Sequence, residues 1–154
     1  SVGKYPSGCV NFLKSIAEQT EKFRTLGYEE NFKPNSDWQH IGVAAKNLAE
    51  SINADGIIAI TRTGKTANYI SNSKPNGIPI FTFTGNKKTL NQLSLIGSTI
   101  PFYLSNLSNH EKTLINVSKI LKKFYGKNKK GLKFIMVSSI FSEEHSEAIQ
   151  IINI

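Results

Sequence analysis

The chain has 154 residues, enough for one domain of ordinary size, and its apolar content of 39% suits a soluble globular protein. No apolar run approaches the ~20 residues that a membrane-spanning helix needs. The net charge of +8 is mostly lysine, whereas base and phosphate recognition favours arginine, and the single cysteine excludes an internal disulfide. We therefore expect a cytoplasmic protein that is not bound to a membrane, with a basic surface.

The chain opens with helical spacing of apolar residues over residues 7–26, with Ser7 as the expected cap behind Pro6. Its predicted apolar face is formed by Val10, Leu13, Ile16, Ala17 and Phe23. The lone Cys9 falls in this helix and is expected to be a buried small hydrophobe. Residues 27–36 contain a glycine, a proline and no periodicity, which predicts a linker.

A second helix is predicted from Asp37, its expected cap, to about Asn53, after which strands and helices alternate. Strands are predicted at Gly56–Ile60, Ile78–Phe83, Thr99–Leu104, Leu132–Val137 and Ala148–Ile154, with helices at 65–73, 86–95 and 109–125. Repeated strand–helix units predict a three-layer α/β fold, whose five-stranded, mostly parallel sheet has helices on both faces. Only "SSIFSEEHSE" separates the last two strands, so the final strand should be antiparallel.

The loop after the first predicted strand, "TRTGKT", has features that are typical of an anion-binding site. Where a strand leads through a tight turn into a helix, backbone N–H groups and the positive pole of the helix face the same spot. The threonines add hydroxyl donors, and the arginine and lysine add positive charge. The sequence therefore predicts a phosphate site formed by Thr61, Arg62, Thr63, Gly64, Lys65 and Thr66.

The wider stretch "AITRTGKT", residues 59–66, also fits the loose form of the Walker phosphate loop. A nucleotide hydrolase would need an acidic residue at the end of a neighbouring strand to hold magnesium. The predicted neighbouring strands lead into Thr84 and Ser138 instead. We therefore favour phosphate binding without hydrolysis, and the alternative is a polar turn that merely caps a helix.

Other chemistry-bearing residues are scattered. The basic run at 119–133 is the one candidate nucleic-acid surface, although lysines at a helix end also complement its negative pole, which is the interpretation we favour. His40, His110 and His145 lie on three separate predicted elements, so no metal site and no catalytic role is expected for them. Trp38, beside the linker, is expected to be a packing anchor.

The stretch from Thr61 to Pro101 resembles the C-terminal domain of the pyruvate kinase family. The family pattern is Thr-x-Ser-Gly-Arg-Ser/Thr-Ala, then Ile-Ser, Arg-Pro, Pro-Ile, Thr-x-Asn and Leu-x-x-Gly-x-x-Pro. This chain has threonine for serine and lysine for arginine in the first motif, and the matching residues are Thr61, Thr63, Gly64, Lys65, Thr66, Ala67, Ile70, Ser71, Lys74, Pro75, Pro79, Ile80, Thr84, Asn86, Leu95, Gly97 and Pro101. The segment "GKYP", residues 3–6, resembles the family sequence just after the last strand of its catalytic barrel.

The resemblance implies that residues 1–30 hold the terminal helix of the barrel and a linker, and that residues 37–154 form the regulatory domain. Enzymes of the family transfer phosphate from phosphoenolpyruvate to ADP with Mg²⁺ and usually K⁺, using groups in the barrel. This segment would then have no catalytic residues, no metal and no cofactor of its own. The loop matching residues 61–66 would bind the phosphate of an allosteric effector, and the domain would contribute an interface to a homo-oligomer, a tetramer in the parent enzyme.

Two departures bear on the effector. The last loop of the family is rich in Gly, Ser and Thr, whereas here it carries Glu143, Glu144 and Glu147, which would repel a dianion. Family members that bind a sugar bisphosphate have an arginine where this chain has Leu114. We therefore expect a monophosphate ligand or none. The remaining alternatives are a stand-alone phosphometabolite-binding module without a barrel and a basic nucleic-acid-binding domain.

Overall fold

The structure is a computed structural model of the chain, and it describes residues 3–20, 33–105, 107, 109–126, 129, 131–138 and 148–154. The chain divides into two units, Ser1–Lys33 and Pro34–Ile154. Within the described ranges, no helix combines the length and the apolar character that crossing a membrane requires.

The described residues of the first unit form one helix, α1, at Pro6–Thr20. Proline is favoured at the first helical position because its φ is already helical, so the helix begins at Pro6 and the prediction of Ser7 as the cap was wrong. No residue of α1 is buried, so the predicted burial of Cys9 was also wrong. The large apolar side chains of its predicted face are exposed: Val10 by 62%, Leu13 by 66% and Ile16 by 47%. Residues 21–26 of the predicted helix lie outside the described residues.

The second unit is a three-layer α/β domain, as predicted. Its elements are α2 (Asp37–Ser51), β1 (Gly56–Ile60), α3 (Lys65–Asn72), β2 (Ile80–Thr84), α4 (Lys87–Leu93), β3 (Thr99–Tyr103), α5 (His110–Tyr125), β4 (Lys133–Ser138) and β5 (Ala148–Asn153). The strand order is β3-β2-β1-β4-β5, in which β5 is antiparallel to β4 and the other pairs are parallel. This confirms the predicted fold class, including the direction of the last strand.

In the second unit, the predicted ends of the helices and strands agree with the structure within two residues. The extended Ser36 precedes α2 as its cap, so Asp37 is the first helical residue and its prediction as the cap was wrong by one position. In the first turn, the Asp37 carboxylate still interacts favourably with the positive pole of the helix. Strand β2 begins at Ile80 rather than at residue 78, because Pro79 has no N–H to donate to a neighbouring strand.

Different side chains fill the two sides of the sheet. The side covered by α2, α3 and α4 is packed with small and branched residues, including Ala45, Ala49, Ala59, Ala67, Ile57 and Ile70. The α5 side contains the aromatic residues of the core in addition to aliphatic ones: Phe81, Phe83, Phe102, Phe134 and Tyr125. Leu114, where a bisphosphate-binding relative would carry arginine, packs against this second core. Small residues allow a close approach, so α2 and α3 can lie tightly against each other and the sheet.

At their closest approach, α2 and α3 meet through backbone atoms. A Cβ atom added to Gly42 would lie 2.8 Å from the carbonyl oxygen of Tyr69, so only glycine allows the two helices to come so close. The Ser73 hydroxyl donates to the Gly42 carbonyl oxygen at 3.2 Å. Trp38 stacks on Tyr69 with ring centroids 6.3 Å apart, which agrees with its predicted packing role.

The order of the strands indicates where on the sheet a ligand is expected to bind. From β1 the chain goes through α3 to β2 and through α4 to β3, and then returns through α5 to β4 on the other side of β1. Crossovers on opposite faces leave a crevice at the carboxyl ends of the two neighbouring strands between which the order reverses, β1 and β4. The loop that leaves β1 there is the predicted anion site.

Candidate functional site

The loop at residues 61–64 joins the end of β1 to the start of α3. Thr61 is 2% exposed, and its N–H donates to the Phe83 carbonyl oxygen at 3.0 Å, so it continues the pairing with β2. Gly64 has φ of +86°, a left-handed conformation that glycine adopts without steric cost and that turns the chain into the helix. The glycine of the motif is therefore required by the backbone.

Two of the predicted donors are paired with each other. The Gly64 N–H donates to the Thr61 hydroxyl oxygen at 2.9 Å. The Thr89 hydroxyl of α4 donates to the Arg62 carbonyl oxygen at 3.0 Å and ties the loop to the neighbouring helix. Thr61, Gly64 and Thr89 thus hold the shape of the loop, and the Gly64 amide is not free for a ligand.

Three further N–H groups at the first turn of α3 have no hydrogen-bond acceptor among the described residues. The first helical hydrogen bond runs from the Asn68 N–H to the Gly64 carbonyl oxygen at 3.0 Å. Among the described residues, no backbone acceptor takes the N–H of Thr63, Lys65 or Thr66. Such orphan amides together carry the positive pole of a helix, which is a ready anion site.

The side chains of the loop divide into buried and exposed groups. Thr66 is buried beneath the turn, at 4% exposure, whereas Thr63, Arg62 and Lys65 are exposed. No carboxylate in the described part of the chain forms an ion pair with Arg62 or Lys65. The loop therefore combines amides that have no acceptor with two cations that have no ion-pair partner in the described part of the chain.

A pocket opens beside this loop, between α3 and α4. Its volume is about 210 Å³, and it is lined by Thr63, Gly64, Lys65, Asn68, Gln92, Leu93 and Ile96. The amide side chains of Asn68 and Gln92 were not predicted as site residues. Their signal in the sequence is spacing alone, since Asn68 follows Lys65 by three positions and so shares its helix face.

The ends of the two strands that flank β1 test the interpretation of the loop as part of a nucleotide hydrolase. Strands β2 and β4, which flank β1, end at Thr84 and Ser138, so neither ends in a carboxylate. The described ranges contain no group of three or more His, Cys, Asp or Glu placed to bind a metal. The acidic residues 143, 144 and 147 and His145 lie outside the described residues.

At the opposite end of β1, charged and polar residues form hydrogen bonds with one another. The Asp55 carboxylate accepts from the Lys133 N–H at 2.9 Å and from the Lys129 ammonium at 3.0 Å. The Tyr125 hydroxyl donates to the Asp55 carbonyl oxygen at 2.6 Å, and the Lys129 ammonium lies 4.8 Å from the Tyr125 ring centroid. Part of the basic run at 119–133 therefore joins a loop to the sheet.

Two pKa values are shifted in this cluster. Burial by itself would raise the pKa of Asp55, but the Lys133 N–H and the Lys129 ammonium outweigh it and lower that pKa below its ordinary value of 3.8. Burial, and then the negative charge of Asp55, raise the pKa of Tyr125. Asp55 is thus held as a carboxylate and Tyr125 as a neutral phenol.

Comparison with known proteins matches most of the chain. The family model described as "Pyruvate kinase, alpha/beta domain" matches residues 39–152. The chain is 32% identical over 146 residues to pyruvate kinase of Thermotoga maritima, covering 91% of this chain and 30% of the relative. It is 29% identical over 104 residues to pyruvate kinase of Thermoplasma acidophilum, covering 68% of this chain and 19% of the relative.

A solved structure supports the fold. The crystal structure of a pyruvate kinase from Cryptosporidium parvum superposes with a TM-score of 0.82 at 22% identity, covering 98% of this chain and 30% of that one. At that identity the likeness concerns the fold alone. The chain spans between about a fifth and a third of the length of these relatives.

Proposed function

Since this chain belongs to the family of the pyruvate kinase alpha/beta domain, we propose that it is the regulatory domain of a pyruvate kinase and binds a phosphorylated effector at residues 61–66. The proposal is supported by amides without an acceptor, at the carboxyl end of β1, beside two cations that have no ion-pair partner among the described residues. A phosphate monoester carries the negative charge and the acceptor oxygens that these groups lack.

The roles within the loop differ. The amides of Thr63, Lys65 and Thr66 donate to the phosphate, and Arg62 and Lys65 supply charge. Thr61 and Gly64 hold the turn through their mutual hydrogen bond. Each hydrogen bond to a charged group contributes about 1.5–3 kcal/mol, which exceeds the ~0.3–1 kcal/mol expected from the helix pole alone. A single phosphate occupies this set of donors, which favours a monophosphate effector.

The phosphoryl transfer from phosphoenolpyruvate to ADP is assigned to a barrel domain of the same chain. Residues 1–30 would be its terminal helix and linker, and residues 37–154 the regulatory domain. The exposed apolar face of α1, at Val10, Leu13 and Ile16, supports this assignment because it needs a covering partner. The Mg²⁺ and K⁺ of the parent enzyme are assigned to the barrel as well. We place the enzyme in the cytoplasm, where an unpaired cysteine such as Cys9 is ordinary.

The two edges of the sheet support self-association of the domain through β5. The edge strand β3 carries Pro101, which lacks an N–H and blocks pairing with a further strand. Just after β5, Ile154 exchanges hydrogen bonds with Leu132, which lies just before β4. By alternation along the strand, Ile151 directs its N–H and carbonyl away from β4. Ile151 is also 54% exposed. This edge suits antiparallel pairing with a second copy in a homo-oligomer.

The effector site can be tested by calorimetric titration of inorganic phosphate into the chain and into the double variant Lys65→Ala, Thr66→Ala. We expect binding by the native chain and a loss of at least about tenfold in the variant, since one charged hydrogen bond accounts for that factor. Lys112→Ala, which removes an exposed charge on α5, is the matched control and should bind normally. Equal binding by the native chain and the double variant would place the phosphate elsewhere.

Self-association can be tested by sedimentation equilibrium on Ile151→Pro and Ile151→Val. Proline removes the outward N–H while leaving the hydrogen bonds to β4, whereas valine keeps both the amide and the apolar surface. We expect the native chain and the valine variant to associate and the proline variant to be monomeric. A native chain that sediments as a monomer would contradict this part of the proposal.

A further inference from the structure

The loop between α3 and β2 contains an asparagine that is followed directly by a glycine, Asn76 and Gly77. Both residues are exposed, and Gly77 has φ of +68°. A Cβ atom added to Gly77 would have no heavy atom within 4 Å, so the space around this glycine is open. Solvent therefore reaches the peptide unit that joins the two residues.

The two groups of this pair that can react with each other are the side-chain amide of Asn76 and the backbone nitrogen of Gly77. The backbone N–H of Asn76 donates to the Glu50 carboxylate at 3.0 Å, which ties the loop to the last turn of α2. Among the described residues, neither the Asn76 side chain nor the Gly77 N–H forms a hydrogen bond. The side chain can therefore rotate towards the next nitrogen, and Gly77 has no Cβ to obstruct the approach.

We propose that Asn76 is a site of spontaneous deamidation, with water as the only co-reactant. The Gly77 nitrogen attacks Cγ of Asn76 and gives up its proton, and ammonia leaves with that proton as the bond from Cγ to Nδ2 breaks. The product is a five-membered succinimide ring, and water then cleaves one of the two bonds from its nitrogen to a carbonyl carbon. Cleavage at Cγ leaves an aspartate, whereas cleavage at the main-chain carbonyl leaves an isoaspartate.

The end of α3 provides a matched asparagine that the fold protects. Asn72 is exposed as well, and it is followed by Ser73, which is buried. The Ser73 N–H donates to the carbonyl oxygens of Tyr69 at 3.2 Å and of Ile70 at 3.1 Å. Attack by this nitrogen would require those hydrogen bonds to break first. The two exposed asparagines, four positions apart, should therefore react at different rates.

The modification would weaken the contact between the loop and α2. Glu50 accepts the backbone N–H of Asn76, so a new carboxylate on the same residue would repel the one already there. The negative pole at the end of α2 disfavours the added charge too. An isoaspartate also lengthens the main chain by one carbon atom, which displaces the N–H from its acceptor. This inference does not depend on the proposed function, because it involves no residue of the phosphate loop.

The site can be tested by incubating the whole 154-residue chain in mildly alkaline buffer and mapping its tryptic peptides by tandem mass spectrometry. Trypsin does not cleave between Lys74 and Pro75, so both asparagines fall in one peptide, residues 66–87. Each deamidation replaces an NH₂ group with OH, and a sample digested without incubation gives the background. We expect Asn76 to convert at least about tenfold faster than Asn72, the factor that one broken hydrogen bond accounts for.

Thermal unfolding of the incubated samples tests the consequence for the loop. The native chain should melt at a lower temperature after incubation than before. Asn76→Gln cannot close the five-membered ring and should keep its melting temperature. Glu50→Gln retains an acceptor oxygen without the charge, so it should deamidate but lose less stability than the native chain. Equal conversion of Asn72 and Asn76 would overturn the proposed site. An unchanged melting temperature after full conversion would overturn the weakened contact with Glu50.

Discussion

The two ends of β1 differ in how their charges are satisfied. At the amino end, Asp55 is held by Lys129, by the Lys133 amide and by Tyr125, all from the same chain. At the carboxyl end, Arg62 and Lys65 have no carboxylate partner among the described residues. The strand between them is the same buried apolar run. A charged side chain that is paired within the chain stabilises the fold. A cation without such a partner, beside amides that have no acceptor, is available to a ligand.

This contrast leads to a rule that can be tested by substitution. Changes at the amino end should lower the free energy of unfolding and leave phosphate affinity unaltered. Changes to the charged side chains at the carboxyl end should do the reverse. Only the turn at Gly64, which positions the neighbouring amides, should affect both properties.

The largest expected effect on stability is that of Asp55→Ala. Because the substitution leaves the Lys133 N–H and the Lys129 ammonium without their acceptor, we expect the free energy of unfolding to fall by about 1–3 kcal/mol. Urea denaturation followed by circular dichroism measures this change. Phosphate affinity of the folded variant should match that of the native chain, and a loss of binding would show that the two ends of β1 are not independent.

The next effect is that of Gly64→Ala. The added Cβ has room, since its nearest neighbours are 3.6 Å away, so the cost is the left-handed backbone, about 1–2 kcal/mol. Urea denaturation should show this loss, and titration should show weaker phosphate binding. The control Gly97→Ala, where no positive φ is required, should change stability by less than about 0.5 kcal/mol. Equal stability of the two variants would contradict the strain argument.

A smaller effect is the dependence of stability on pH through Asp55. Because folding lowers the pKa of this carboxyl below 3.8, its contribution is present above that pH and is lost as the pH falls through the lower, folded-state pKa. The difference in unfolding free energy between the native chain and Asp55→Asn should therefore shrink as the pH is lowered from 6 towards about 3. A difference that grew over that interval would reverse the sign of the assigned shift.

The smallest effect is that of Lys65→Gln on stability. Its side chain is exposed and has no ion-pair partner among the described residues, so the unfolding free energy should change by less than about 0.5 kcal/mol. The matched variant Lys129→Gln, at the other end of the strand, loses an ion pair and a ring contact and should be destabilised by about 0.5–1 kcal/mol. Denaturation of both variants under one buffer condition decides whether this ordering holds.

The sequence predicts much of the fold because its patterns are local. Five apolar residues between Asp55 and Thr61 predict β1 at its observed limits, since a buried parallel strand is apolar on both faces. The antiparallel direction of β5 follows from a connection too short for a helix. At Asn86 and Asn109, the side chains accept hydrogen bonds from the first turns of α4 and α5, so these helices begin next to the positions predicted.

The sequence does not predict features that depend on distant contacts. The Asp55 cluster joins residues separated by 70 to 78 positions, and no periodicity links them. Likewise, the six loop residues appear equivalent in the sequence. In the structure, Thr61 and Gly64 are hydrogen-bonded to each other, whereas other amides of the loop have no acceptor among the described residues. Burial of Cys9 was predicted from residue type, but exposure depends on which surfaces cover α1.

The absence of a side chain at Gly42 has a mechanical consequence. Where two helices meet through side chains, rotamer changes can absorb a small displacement, but here the carbonyl of Tyr69 meets bare backbone. A force that pushes α2 towards α3 must therefore move α3 as a rigid rod, and with it the lysine at the start of that helix. A protein surface that pushes on α2 would therefore also displace Lys65, which lies 23 positions after Gly42 in the chain.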